Sequence, residues 1–185
     1  MPAGQVGAID WYTLLVGIAA VLTLAVHGSL WIALKTCGDL QERARSFAAR
    51  CRNGLVGSML LVTASSFAVQ PNLSRQLRTQ PWGAVCILLA MAGIVAERVL
   101  IRRRQDLAAF LASGLSIAGM LASAAFGVFP NLLPSNTMPR FSLTVYNAAA
   151  GAYGLSVALY WFLPGMALAI GYFAFIYRRF AGKQA

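Results

Sequence analysis

Five long apolar stretches alternate with short polar segments along this chain. They run Trp11–Leu34, Gly54–Val69, Trp82–Ile101, Leu107–Phe129 and Tyr153–Tyr177. A helix needs about 20 mostly apolar residues to cross about 30 Å of hydrocarbon. Four of the stretches reach that length. The second is short, but the run before it extends it. There Leu40, Ala44, Phe47, Ala48 and Cys51 recur at helical spacing, with Arg43, Arg45, Arg50 and Arg52 on other faces. That is an amphipathic helix that lies on the interface or runs down into it. Its start falls in Gly38–Glu42, with Asp39 as cap and Glu42 three residues on. The pattern predicts an all-α polytopic membrane protein: a single transmembrane domain over residues 1–185, with five transmembrane helices.

The polar segments then set an orientation. Lys35, Arg43, Arg45, Arg50 and Arg52 follow the first stretch, Arg98, Arg102, Arg103 and Arg104 the third, and Arg178, Arg179 and Lys183 the fifth. The alternate segments carry only Arg75, Arg78 and Arg140. Basic loops stay in the cytoplasm, so the expected N-terminus is outside and the C-terminus inside. Residues 1–10 hold no Lys or Arg, and the first apolar run is too long for a cleavable signal peptide. An outside start fits a short tail, or the loss of an even number of upstream spans.

Composition agrees with a membrane chain. Of 185 residues, 59% are apolar and 11% charged, against about 25% charged in soluble domains. A net charge of +10 would suggest nucleic acid in a soluble protein. In short loops beside spans it signifies topology and anionic lipid headgroups instead. Cys37, Cys51 and Cys86 form no C-x-x-C pattern, and a reducing compartment keeps such thiols free.

Local signals predict how the helices meet. The tight turn Arg102–Asp106 makes the third and fourth spans antiparallel neighbours, and Asp106 is placed to cap the fourth. Asp10 is placed to cap the first, and Lys35 to snorkel from its end. Gly119, Ser123 and Gly127 recur every four residues. Small residues so spaced let helix backbones approach closely, and this face is expected to meet another half or subunit. The segment Phe129–Asn136, with Pro130, Pro134 and then Pro139, is expected to be extended or turning. Pro164-Gly165 predicts a kink in the last span, its gap facing protein rather than lipid.

Few residues offer chemistry. His27 is the one histidine. It is either a haem ligand or proton-relay member, or a buried neutral histidine bonded to a neighbouring helix, structural or cofactor-adjacent. Glu97 lies toward the basic end of the third span and is expected to pair with the arginines there. The sequence holds no Walker loop, no nucleophile with a histidine and acid, and no histidine pair for a metal. No catalytic residue and no metal site are assigned.

Several stretches together resemble subunit II of the cytochrome bd-type quinol oxidases, and specifically its C-terminal half. They are Asp10–Gly17 leading to His27-Gly28-Ser29-Leu30-Trp31 and Leu34-Lys35-Thr36, then Phe129–Ser135 leading into Ser142–Ala149, and the tail Tyr177–Lys183. The resemblance implies a four-helix bundle plus one further helix, in a multi-pass protein of the bacterial inner membrane. It implies a structural, haem-free subunit or half-subunit of a terminal oxidase that couples quinol oxidation to reduction of oxygen to water. Haems b and d and the quinol site would belong to the partner subunit I. The missing N-terminal half of subunit II and membrane lipids are further expected partners, and nucleic acid is not. Two other classes remain open: an independent five-helix carrier, and an assembly or scaffold protein. Against the carrier, the spans show no paired acids and no inverted repeat.

Overall fold

The computed structural model describes residues 10–133, 135, 138–180 and 182. Residues 1–9, Pro134, Asn136 and Lys183, which entered the sequence reading, lie outside the described residues. The elements are α1 (Trp11–Lys35), α2 (Gly38–Val69), α3 (Pro71–Thr79), α4 (Gly83–Arg102), α5 (Asp106–Val128), β1 (Asn131–Leu133), β2 (Leu143–Thr144) and α6 (Ala152–Arg179). α1, α4, α5 and α6 are each long and apolar enough to cross a membrane. α2 counts as a fifth span only together with α3, from which it is separated by an 87° bend.

The amphipathic run and the second apolar stretch are one unbroken helix, α2, of 32 residues. At 1.5 Å per residue it is about 48 Å long, which exceeds the hydrocarbon thickness. Its polar first turns therefore extend past the bundle's apolar body. The start is not capped by Asp39. Cys37 holds the cap position and makes no side-chain cap bond, and Gly38 takes φ 65°, a conformation glycine adopts without steric cost. The two-residue link from α1 leaves Asp39 inside the first turn.

α1 begins as expected. Asp10 Oδ1 accepts from Thr13 N at 2.8 Å, and Asp10 N donates to Thr13 Oγ1 at 2.9 Å. This reciprocal box satisfies two orphan groups of the helix start. α3 was not foreseen in the sequence. Proline in its first turn favours a helix start, and the segment folds as a short helix across the end of the bundle.

α1, α2, α4 and α5 form an antiparallel four-helix bundle. α1 packs along α2, α4 along α5, and α1 against α5, while α2 and α4 meet only sparsely. The α4–α5 contact is the tightest, and glycines set it. A Cβ at Gly93 would lie 2.7 Å from Ser116 Cβ, and one at Gly119 would lie 2.5 Å from Ala90 N. Gly119 thus faces α4 within this chain, and Gly127 faces Leu73 of α3. Two of the three positions of the small-residue face, Gly119 and Gly127, are thus met by α4 and α3 of this same chain. The short turn between α4 and α5 forces this pairing, and it sets Gly93 opposite Ser116 and Gly119 opposite Ala90.

α6 stands apart, and none of its residues is buried. At its C-terminal end Tyr177 sits edge-on to Trp31 at 5.6 Å, and Lys35 Nζ donates to the Phe180 carbonyl at 3.0 Å. The same Lys35 ammonium passes over the Trp31 ring. α6 continues as one helix through Pro164, and the residues around Pro164 are exposed. Among the described residues no other element packs around Pro164, so none of them covers the carbonyl that the proline frees. The segment before α6 is extended and turning, as expected, with β1 and β2 paired antiparallel.

Candidate functional site

The two ends of the bundle differ. At the basic end the helices close on a core of Val26, Leu30, Ala48, Leu55 and Ala109. Above that core lies an ionic lid. Arg45 Nε and Nη2 donate to the two oxygens of Asp106 at 2.9 and 2.7 Å. Gln41 Nε2 donates to Asp106 Oδ2 at 3.0 Å and to the Ala33 carbonyl at 2.9 Å. Glu42 accepts from Arg45 at 3.4 Å and from Arg104 at 3.3 Å. Asp106 is the first residue of α5, not its cap, and Gln105 holds the cap position. The carboxylate turns to Arg45 because a charged, forked donor binds it more strongly than a backbone amide does. Four termini (α1, α2, α4 and α5) are joined by these few side chains.

Just beneath the lid are two polar insertions. His27 Nδ1 lies 2.7 Å from Ser113 Oγ. One face of the imidazole stacks on Phe110, with ring centroids 4.5 Å apart, and Trp31 packs on the same phenyl ring. Glu97 is fully buried. Ser116 Oγ donates to its Oε1 at 3.0 Å, and Oε2 has no hydrogen-bond partner among the described residues. The expected ion pair between Glu97 and the arginines is not formed. Ion pairs among the described residues involve Arg45 and Arg104 only. The side chain turns into the α4–α5 contact instead, where Gly93 brings Ser116 within reach. Both insertions use serines of α5, at positions 113 and 116, which lie one turn apart on one helix face. The sequence reading named both ionisable residues and missed both serines. A signal was present: polar residues at helical spacing inside an otherwise apolar run.

Toward the opposite end the helices part around an apolar cavity of about 510 Å³. α1, α2, α4 and α5 all line it, with Ala19, Met59, Met91 and Met120 among the wall residues. Tyr12 and Ser66 stand at its rim and hydrogen-bond each other at 2.8 Å. Ser123 lines this cavity too, so it borders open space rather than a helix backbone. Thioether walls adapt readily to irregular apolar shapes.

His27 does not border the cavity. Its Nδ1 is engaged by Ser113 and one ring face is covered by Phe110. No group of three or more His, Cys, Asp or Glu that could hold a metal occurs among the described residues. The three cysteines are unpaired, as expected.

Comparison with known proteins names the family. The family model described as cytochrome bd terminal oxidase subunit II matches residues 3–180. Cytochrome bd ubiquinol oxidase subunit 2 of Bacillus subtilis is 31% identical over 149 residues, which is 80% of this chain and 43% of that protein. The probable cytochrome oxidase subunit 2 of Haemophilus influenzae is 23% identical over 93% of this chain and 52% of its own length. Cytochrome bd-I ubiquinol oxidase subunit 2 of Escherichia coli K12 is 22% identical over the same shares. The chain spans about half the length of these relatives. A polytopic helical bundle whose sequence matches this family from residue 3 to residue 180 belongs to the cytochrome bd terminal oxidase subunit II family.

Proposed function

We propose that this chain is a structural, haem-free part of a cytochrome bd-type oxidase, one that passes electrons from quinol to oxygen. The family match over nearly the whole chain carries the reading. The span of about half the relatives' length supports a further point: the chain corresponds to one half of subunit II, and the quoted stretches favour the C-terminal half. In this reading the haems and the quinol site reside in subunit I, and the chain's contribution is mechanical. A bundle tied by glycine contacts and an ionic lid presents a rigid wall. The uncovered helix α6 offers a long apolar surface for lipid, for subunit I or for the other half of subunit II.

The same geometry supports an orientation. The lid, Lys35 and the Phe180 carbonyl gather the basic clusters at one end of the molecule. By the positive-inside rule that end faces the cytoplasm of a bacterial inner membrane. Half-buried His27 and buried Glu97 serve as polar ties between helices, since each is held by a serine of α5.

The experiment is co-purification. A tagged chain is extracted in mild detergent, and the eluate is analysed for a second membrane subunit and for haem absorbance. Haem bands that travel with a partner while the isolated chain is colourless support the reading. A colourless chain that never acquires a partner, although subunit I is present, contradicts it.

A further inference from the structure

The seam between α2 and α4 is the loosest in the bundle, and it carries charge that the fold leaves unbalanced. Arg52 of α2 is only 6% exposed. Its guanidinium donates to a neutral partner, Asn53 Oδ1, at 3.0 Å. Arg98 and Arg102 lie one turn apart on α4, and both are exposed. The charge of Arg52 interacts repulsively with both of them and attractively with Glu97. None of the three arginines forms an ion pair among the described residues. Glu97, the acid nearest in sequence, is fully buried and bonded to Ser116. Three guanidiniums on the two facing helices thus share one electrostatic neighbourhood with a single recessed carboxylate. By contrast Arg45 and Arg104, at the same end, each have an acid.

The position of the seam names the missing anion. Arg52 stands two residues before Gly54, where the apolar stretch of α2 begins, and Arg98 and Arg102 end the apolar stretch of α4. That is the depth of the lipid headgroups. Guanidinium forks match phosphate oxygens two at a time, and basic pockets between spanning helices bind anionic headgroups.

We propose that Arg52, Arg98 and Arg102 together hold the phosphate of one anionic phospholipid in the α2–α4 seam. The phosphate offsets the mutual repulsion of the arginines and ties α2 to α4 where side-chain packing is sparse. The site is independent of the oxidase reading, since it rests on this chain's own charges and helices.

The test uses the full chain purified in detergent and titrated with phosphatidylglycerol, phosphatidylcholine or inorganic phosphate, with bound lipid counted by native mass spectrometry. Arg98→Gln/Arg102→Gln removes two exposed charges without disturbing the core, and Arg52→Gln removes the buried one. Arg178→Gln/Arg179→Gln removes the same charge from α6 as a control. The expected result is one tightly retained phosphatidylglycerol. It is weakened about tenfold or more in either seam variant and unchanged in the α6 control. Equal weakening in the control would reduce the seam to part of a diffuse basic surface and overturn the proposal. So would equal retention of phosphatidylcholine, or displacement of the lipid by inorganic phosphate at comparable concentration.

Discussion

Arg45 and Asp106, 61 residues apart in the chain, face each other as a two-pronged pair with Nη2 to Oδ2 at 2.7 Å. Both side chains are nearly buried, at 13% and 12% exposure. The pair fastens the start of α2 to the start of α5, and Gln41 ties the same carboxylate to the last turn of α1. Asp106→Asn keeps the shape of the acid and removes its charge. The expected loss is about 2 kcal/mol, within the range for hydrogen bonds to charged groups. A thermal melt in detergent should show a clear drop. Arg45→Lys should fall nearly as far, because an ammonium cannot reproduce the fork. A melt unchanged in both variants would mean the lid is ornamental.

The contact between α4 and α5 predicts a contrast between two substitutions on one helix. Gly119→Leu places a side chain where Ala90 backbone atoms already lie within 2.8 Å. It should destabilise by about 1–3 kcal/mol or prevent folding. Ser123→Leu, one turn on, points at the apolar cavity and should be tolerated. Accumulation of folded protein, read by size-exclusion chromatography, separates the two. Equal behaviour would contradict the packing described for α5.

Glu97 and Ser116 predict an asymmetry. Glu97→Gln retains an acceptor for the Ser116 hydroxyl and should be mild. Ser116→Ala leaves a fully buried carboxyl group with neither oxygen bonded among the described residues, at a cost of about 1–3 kcal/mol. Chemical unfolding of both variants in the same detergent checks the order. Glu97→Gln falling further than Ser116→Ala would show that Glu97 has a partner other than the serine.

His27 predicts a negative result in one channel and a positive one in another. His27→Leu removes the bond to Ser113, so stability should fall by about 1 kcal/mol. The haem absorbance of a co-purified oxidase should be unchanged. Loss of a haem band in this variant would make His27 a ligand after all.

Most of the fold was legible in the sequence because hydrocarbon imposes a simple rule. Long apolar runs and clustered arginines located the helices and brought the basic ends together. The cap at Asp10 followed from residue type and position. What failed was competition for a partner. Asp39, Asp106 and Glu97 were each assigned the nearest suitable role, and tertiary contacts offered two of them a better one: Arg45 claimed Asp106 and Ser116 claimed Glu97. The glycine of α4 at position 93 was passed over because it has no partner at spacing four in its own helix. Its role appears only across the contact with α5. α3 was hidden in a polar segment too short to show a period.

The most direct test of the central claim is a membrane pull-down of the tagged chain from cells that also make subunit I, with an absorbance spectrum and a subunit count on the eluate. A working oxidase component predicts a stable assembly with subunit I that carries haem, while the chain purified alone carries none. A chain that folds and inserts but leaves subunit I and all haem in the unbound fraction would contradict it.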